Sequence, residues 1–101
     1  MSLLSPILRK GQDNGLMFWC PGCDAPHVVR HGSGAGPRWG WNGDAEKPTF
    51  TPSILVRFPW GPEQKERVCH SFVTNGKIRF LSDCTHELAG QTVDIPNWEE
   101  S

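Results

Sequence analysis

Apolar positions along this chain come in short stretches cut by glycine, proline and asparagine, a pattern of brief strands joined by turns with hardly any helix. Leu16 to Trp19 predicts a strand, and Val28-Val29 a second one leaving the turn that follows. Trp39 and Trp41 alternate onto one face just before an Asn42-Gly43 turn. Pro48-Thr49-Phe50-Thr51-Pro52 must be extended, since each proline restricts the residue before it, and Ser53 to Phe58 continues as a strand rich in β-branched residues. Pro59 to Arg67 reads as a polar loop. Asn75-Gly76 between apolar-rich stretches is a hairpin signal that pairs Thr74 with Lys77, Val73 with Ile78, Ser71 with Phe80 and Cys69 with Ser82. Glu87 to Gly90 has room for one helical turn, and Thr92 to Ile95 is a last strand stopped by Pro96. The fold class expected is mostly β: a small antiparallel sheet or sandwich in one domain over residues 16–101. Residues 1–15 are expected to form an N-terminal arm, and His31 to Pro37 a flexible linker by composition.

The hairpin gives the cysteines their meaning. Side chains alternate along a strand, so Cys69, Ser71, Val73, Ile78, Phe80, Ser82 and Cys84 share one face, while His70, Phe72, Arg79 and Leu81 point the other way. Two thiols at the open end of a hairpin, with the Cys20-Pro21-Gly22-Cys23 turn, make a zinc-knuckle-type set of four: Cys20, Cys23, Cys69 and Cys84. His86 rivals Cys69 for a place, because the chain beyond Cys84 need not stay extended. Zinc is the expected metal, although iron accepts the same four-thiolate geometry. Disulfides are the competing reading, but nothing marks the chain as secreted. Trp19-Cys20-Pro21-Gly22-Cys23 also looks like a thioredoxin motif with its middle residues exchanged; Asp24-Ala25-Pro26 breaks the helix such a motif requires.

Composition changes this picture in two ways. Eleven glycines and nine prolines in 101 residues imply a turn-rich fold whose core needs a staple such as a metal. A formal charge of −1 leaves no electrostatic footprint for duplex DNA. Met1 to Leu8 is too short an apolar run for a signal peptide and no stretch approaches the length of a membrane span, so a cytoplasmic protein, or one carried in a virion, is expected.

Phe18-Trp19-Cys20-Pro21-Gly22-Cys23 with His27, Trp39-Gly40-Trp41-Asn42-Gly43, Pro48 to Ser53, Cys69-His70-Ser71-Phe72 and Asp83 to Gly90 together resemble a family of small phage and prophage proteins of unknown function, some of which carry the label ammonia monooxygenase. The resemblance spans Phe18 to Trp98 and implies a phage or prophage origin. It implies no activity, since a membrane-embedded copper enzyme does not fit a chain with no membrane segment.

Outside the four thiols, His27, His70, Asp83 and His86 cluster in sequence around the proposed ligands. They read either as hydrogen-bonding partners of the thiolates and turns or as acid, base and metal ligands of a working site, with His70, Asp83 and His86 the catalytic candidates. Trp39, Trp41, Trp60 and Trp98 read either as core or as contact residues, and Trp60, in a polar loop between two prolines, is the better contact candidate. Two functions follow as expectations. One is a zinc-stabilised module that binds a protein partner, a nucleotide or a nucleic acid, serving counter-defence or the virion. The other is a metal-dependent hydrolase acting on a phosphodiester or nucleotide. A site closed by four thiolates leaves no open metal position, which favours the module.

Overall fold

The computed structural model describes the backbone of residues 2–98, with the side chains of Ser2, Leu3 and Trp60 outside the described set. The contact role expected for the Trp60 side chain therefore lies outside the described residues. Among the described residues, nine strands make two antiparallel sheets. The first has the order β1 (Ser2–Leu3), β2 (Arg9–Lys10), β3 (Gly15–Cys20), β4 (Ala25–Arg30). The second has the order β5 (Gly40–Trp41), β6 (Phe50–Trp60), β7 (Lys65–Thr74), β8 (Lys77–Phe80), β9 (Thr92–Asp94). Every neighbour in a sheet is its neighbour in sequence, so two meanders suffice.

Alternation decides which residues meet between the sheets. Leu16, Phe18 and Cys20 of β3 and His27 and Val29 of β4 are buried from one side; Phe50, Ile54, Cys69, Val73, Ile78 and Phe80 are buried from the other. Phe18 stacks on Phe50 across the gap, with centroids 6.2 Å apart. The residues expected as an arm contribute β1 and β2 and bury Leu8 completely. Ser5 ties the same segment down, its hydroxyl donating to the Ala45 carbonyl at 2.6 Å.

The predicted hairpin forms in the predicted register from Ser71↔Phe80 to Thr74↔Lys77, around Asn75 and Gly76 at φ 50° and 78°. The ladder stops at Phe80, so Cys69 and Ser82 do not pair. Beyond that point the chain turns, and side chains replace the missing strand. Cys84 Sγ accepts from the His70 N–H at 3.2 Å, and the Thr85 hydroxyl accepts from the Val68 N–H at 3.0 Å. Backbone groups of β7 that would otherwise be orphaned are thereby satisfied. Glu87 to Gly90 forms turns, not a helix, because the Gly90 N–H bonds to the Phe80 carbonyl at 3.0 Å and holds the segment against the end of β8. The glycine-rich stretch from His31 to Pro37 is exposed except at His31, yet Arg38 anchors it, donating to the carbonyls of His31 and Ala35 and to the Asp13 carboxylate.

Ile78 sits at 0% exposure between the sheets. Ile78→Ala is expected to cost about 2–5 kcal/mol, a large share of the stability of so small a domain, and urea unfolding followed by tryptophan fluorescence measures it.

Candidate active site and metal cluster

Strand β7 carries chemistry on both faces. Cys69 and Ser71 point into the core, and His70 between them points out. On the outer face, His70 Nε2 lies 3.0 Å from Ser53 Oγ on the neighbouring strand, and His70 Nδ1 lies 3.1 Å from Asp83 Oδ2. A carboxylate only accepts, so it fixes the proton on Nδ1 and leaves Nε2 to accept from the serine hydroxyl. Serine, imidazole and carboxylate then stand in the order of a nucleophile, its base and the group that orients the base.

Each member is placed by a local feature. Ser53 lies between Phe50 and Ile54, where the β6–β7 register shifts, and alternation from the buried Ile54 turns its side chain to the face occupied by His70. Its carbonyl accepts from Trp39 Nε1 at 3.3 Å, which ties down the serine's backbone. Asp83 is set by Cys84, whose sulfur accepts from the His70 N–H and donates to the His70 carbonyl, both at 3.2 Å. The His70 ring remains 25% exposed and Asp83 52% exposed, so the group is open to a macromolecule from the outer face.

On the inner face the sulfurs gather. Cys20, Cys23, His27 and Cys69 place one ligand atom each within 4.8 Å of one another, and Cys69, Cys84 and His86 form a second, overlapping group. The expected quartet of thiols is thus divided between two groups that share Cys69. All four cysteines are free, and Cys20 and Cys69 approach to 3.8 Å between sulfurs, about the edge of a tetrahedron built on metal–sulfur bonds of ~2.3 Å. Two further observations fit a cation. The buried Nε2 atoms of His27 and His86 have no hydrogen-bond partner. The thiols also compete for charge: hydrogen bonds from Cys23 and Cys69 pull the Cys20 pKa far down, while its thiolate pushes Cys23 up to about 12 and Cys69 far above its ordinary value. A divalent cation removes the repulsion that keeps the second and third protons in place.

His86, expected as a catalytic or ligand candidate, stands apart from Ser53, His70 and Asp83. Its Nδ1 accepts from the Leu88 N–H at 3.2 Å, its ring meets Phe80 edge-on at 4.6 Å, and burial lowers its pKa. The ring lies directly over Gly22, where a Cβ would collide with it. Trp39 and Trp41 are half-buried against the core; Trp41 packs on His31 at 5.1 Å.

Sequence reasoning singled out His70 and Asp83 together with His86, and did not single out Ser53, which read only as the first residue of a strand. No spacing rule links a serine to a histidine 17 positions later; the β6–β7 register alone makes them neighbours.

A family model for a bacterial ubiquitination-like system serine protease, BubE, matches residues 4–81. The chain belongs to the BubE family. The matched span holds Ser53, His70 and three of the four cysteines, and stops just short of Asp83. Nothing among curated proteins or solved structures matches this BubE chain.

Gly22→Ala is expected to drive the His86 ring off Phe80. A loss of about 1–3 kcal/mol in thermal unfolding and a shift of the His86 ring resonances are the outcomes to measure.

Proposed function

We propose that this protein is a serine peptidase whose nucleophile is Ser53, with His70 as general base and Asp83 as the residue that orients it. The observation that carries this reading is the pair of contacts on one imidazole, 3.0 Å to Ser53 Oγ and 3.1 Å to Asp83 Oδ2. Family membership supports it, because the description of BubE names a serine protease.

The steps follow from these atoms. Ser53 Oγ attacks the carbonyl carbon of a peptide bond while His70 Nε2 takes the hydroxyl proton, and Asp83 stabilises the imidazolium that results. His70 returns the proton to the leaving amine as the carbon–nitrogen bond breaks. Water, deprotonated by the same nitrogen, then cleaves the acyl-serine and restores the hydroxyl.

Zinc is the metal we assign to the inner face, as a structural ion. Cys20, Cys23 and Cys69 supply three ligands, and the fourth comes from His27, whose ligand atom lies within 4.8 Å of all three sulfurs, or from Cys84, which is near Cys69. Bound there, zinc cross-links the β3–β4 knuckle to β7. Cys69 and Cys84 are the immediate neighbours of His70 and Asp83, so the same ion holds the catalytic side chains in register from behind. The chemistry needs no open metal position, because the serine supplies the nucleophile on the opposite face. This differs from both functions expected at first: the metal keeps the structural part of the binding-module reading, and His70 and Asp83 keep the catalytic part of the hydrolase reading.

Two outcomes test this. A fluorophosphonate probe is expected to label the wild type at Ser53, to fail on Ser53→Ala, and to label His70→Ala at least ~10³-fold more slowly, with circular dichroism unchanged in both variants. Labelling that persists in Ser53→Ala refutes the assignment. Elemental analysis is expected to find one zinc per chain, lost in Cys20→Ala and Cys69→Ala, with His27→Ala against Cys84→Ala identifying the fourth ligand; chelation of the wild type is expected to abolish probe labelling as β7 loosens.

A further inference from the structure

The nucleophile stands where a sheet edge opens. Strand β5 covers β6 only at Phe50 and Thr51, and among the described residues no other strand pairs with that side of β6. Hydrogen bonds fix which backbone groups face outward. The Val68 and His70 carbonyls accept from Thr85 and Leu81, so these residues turn their backbones away from β6. Cys69 and Ser71 therefore turn toward it, where their partners are Val56 and Ile54. The intervening residues of β6, Leu55 and Arg57, must direct their N–H and C=O groups to the open edge. Ser53 follows the same parity, and its carbonyl is found bonded to Trp39 on that side.

Resting on the serine peptidase reading, we infer that the substrate is an extended polypeptide that adds to this edge as a further strand. It pairs with the backbone of Leu55 and Arg57 and carries its scissile carbonyl up to Ser53 Oγ. The direction of approach fits the chemistry. His70 reaches Ser53 from the β7 side, which leaves the edge side of Oγ for the reacting carbonyl. Main-chain pairing supplies affinity for any extended chain, and flanking side chains supply preference. Those side chains are apolar. Leu55 sits opposite His70 and is 47% exposed, and Phe72, next on the same face of β7, is 41% exposed. Large apolar side chains left open on both sides of the base suit an apolar substrate residue beside the cleaved bond.

Three diphenyl phosphonates test the inference through the rate at which each labels Ser53, phenoxide leaving as the Oγ–phosphorus bond forms and His70 takes the proton. One is a single acetylated leucine analogue, one an acetylated tri-leucine analogue, and one the tri-leucine analogue with its internal amides N-methylated. The tri-leucine probe is expected to label wild type about tenfold or more faster than the single-residue probe, and N-methylation to abolish the gain. Proline lacks a donor that faces the open edge here, so Leu55→Pro is expected to remove most of the roughly tenfold advantage of the tri-leucine probe over the single-residue probe, the ratio of the two rates being the readout. Equal rates for all three probes on wild type overturn strand addition while leaving the nucleophile in place, and this comparison stands even where Leu55→Pro fails to fold. Absence of labelling by every probe refutes the nucleophile itself, and the inference with it. A wild type that sediments as a dimer, dissolved by Leu55→Pro, also overturns it, by giving the edge to a second copy of the chain.

Discussion

Everything in this small protein depends on the two-residue alternation of one strand. Cys69 points inward and His70 outward because adjacent side chains of a strand must, and this single step puts the metal-binding chemistry and the acid–base chemistry back to back across one layer of backbone. The same alternation acts at Asp83 and Cys84, in a turn instead of a strand: the sulfur bonds the backbone of His70 while the carboxylate meets its ring. Slipping β7 by one residue would carry the imidazole into the core and expose the thiol, so register, sulfur cluster and triad stand or fall together.

A core this small gives that register little margin. The sheets close over a few aromatic and aliphatic side chains, chiefly Phe18, Phe50, Phe80, Leu16 and Ile78, and among the described residues no helix covers either sheet. Sulfur takes the place of apolar volume at the centre: Cys20 and Cys69 are as buried as the phenylalanines around them. With three ionisable thiols in contact, repulsion limits how many can be ionised together, and a bound cation would convert that penalty into cohesion between β3, β4 and β7. Such a cross-link would hold the outer face without touching it. Ser53, His70 and Asp83 meet on an open sheet surface, with Asp83 half exposed.

Much of the fold was legible from short-range rules. The Asn75-Gly76 turn and its register followed from the left-handed conformations that a two-residue loop demands, and they are found at φ 50° and 78°. Strands around Leu16 to Trp19 and Ser53 to Phe58 appear where β-branched and aromatic residues predicted them, extended by a few residues as pairing recruits polar neighbours. The segment before Gly15 was harder to read, because β1 and β2 are two residues each and exist only by pairing with a strand already formed. Glu87 to Gly90 had the composition of a helical turn, but its hydrogen bonds to the end of β8 outweigh a local preference of a few tenths of a kcal/mol per residue.

The candidate site divides along the same line. The sequence by itself determined the thiol inventory, the inward set of the hairpin and the outward direction of His70, since these follow from spacing along one strand and one turn. It also placed Asp83 beside the hairpin's end, within the reach of local geometry. Tertiary structure alone decided that His27 joins the sulfurs, that His86 lies over Gly22 and away from the acid–base pair, and above all that Ser53 meets His70. The reason is physical. Ser53 and His70 lie far from the turn at residues 61–64 that joins their strands and become neighbours through the lateral pairing of β6 with β7, whose register is set by buried side chains on the far face of the sheet.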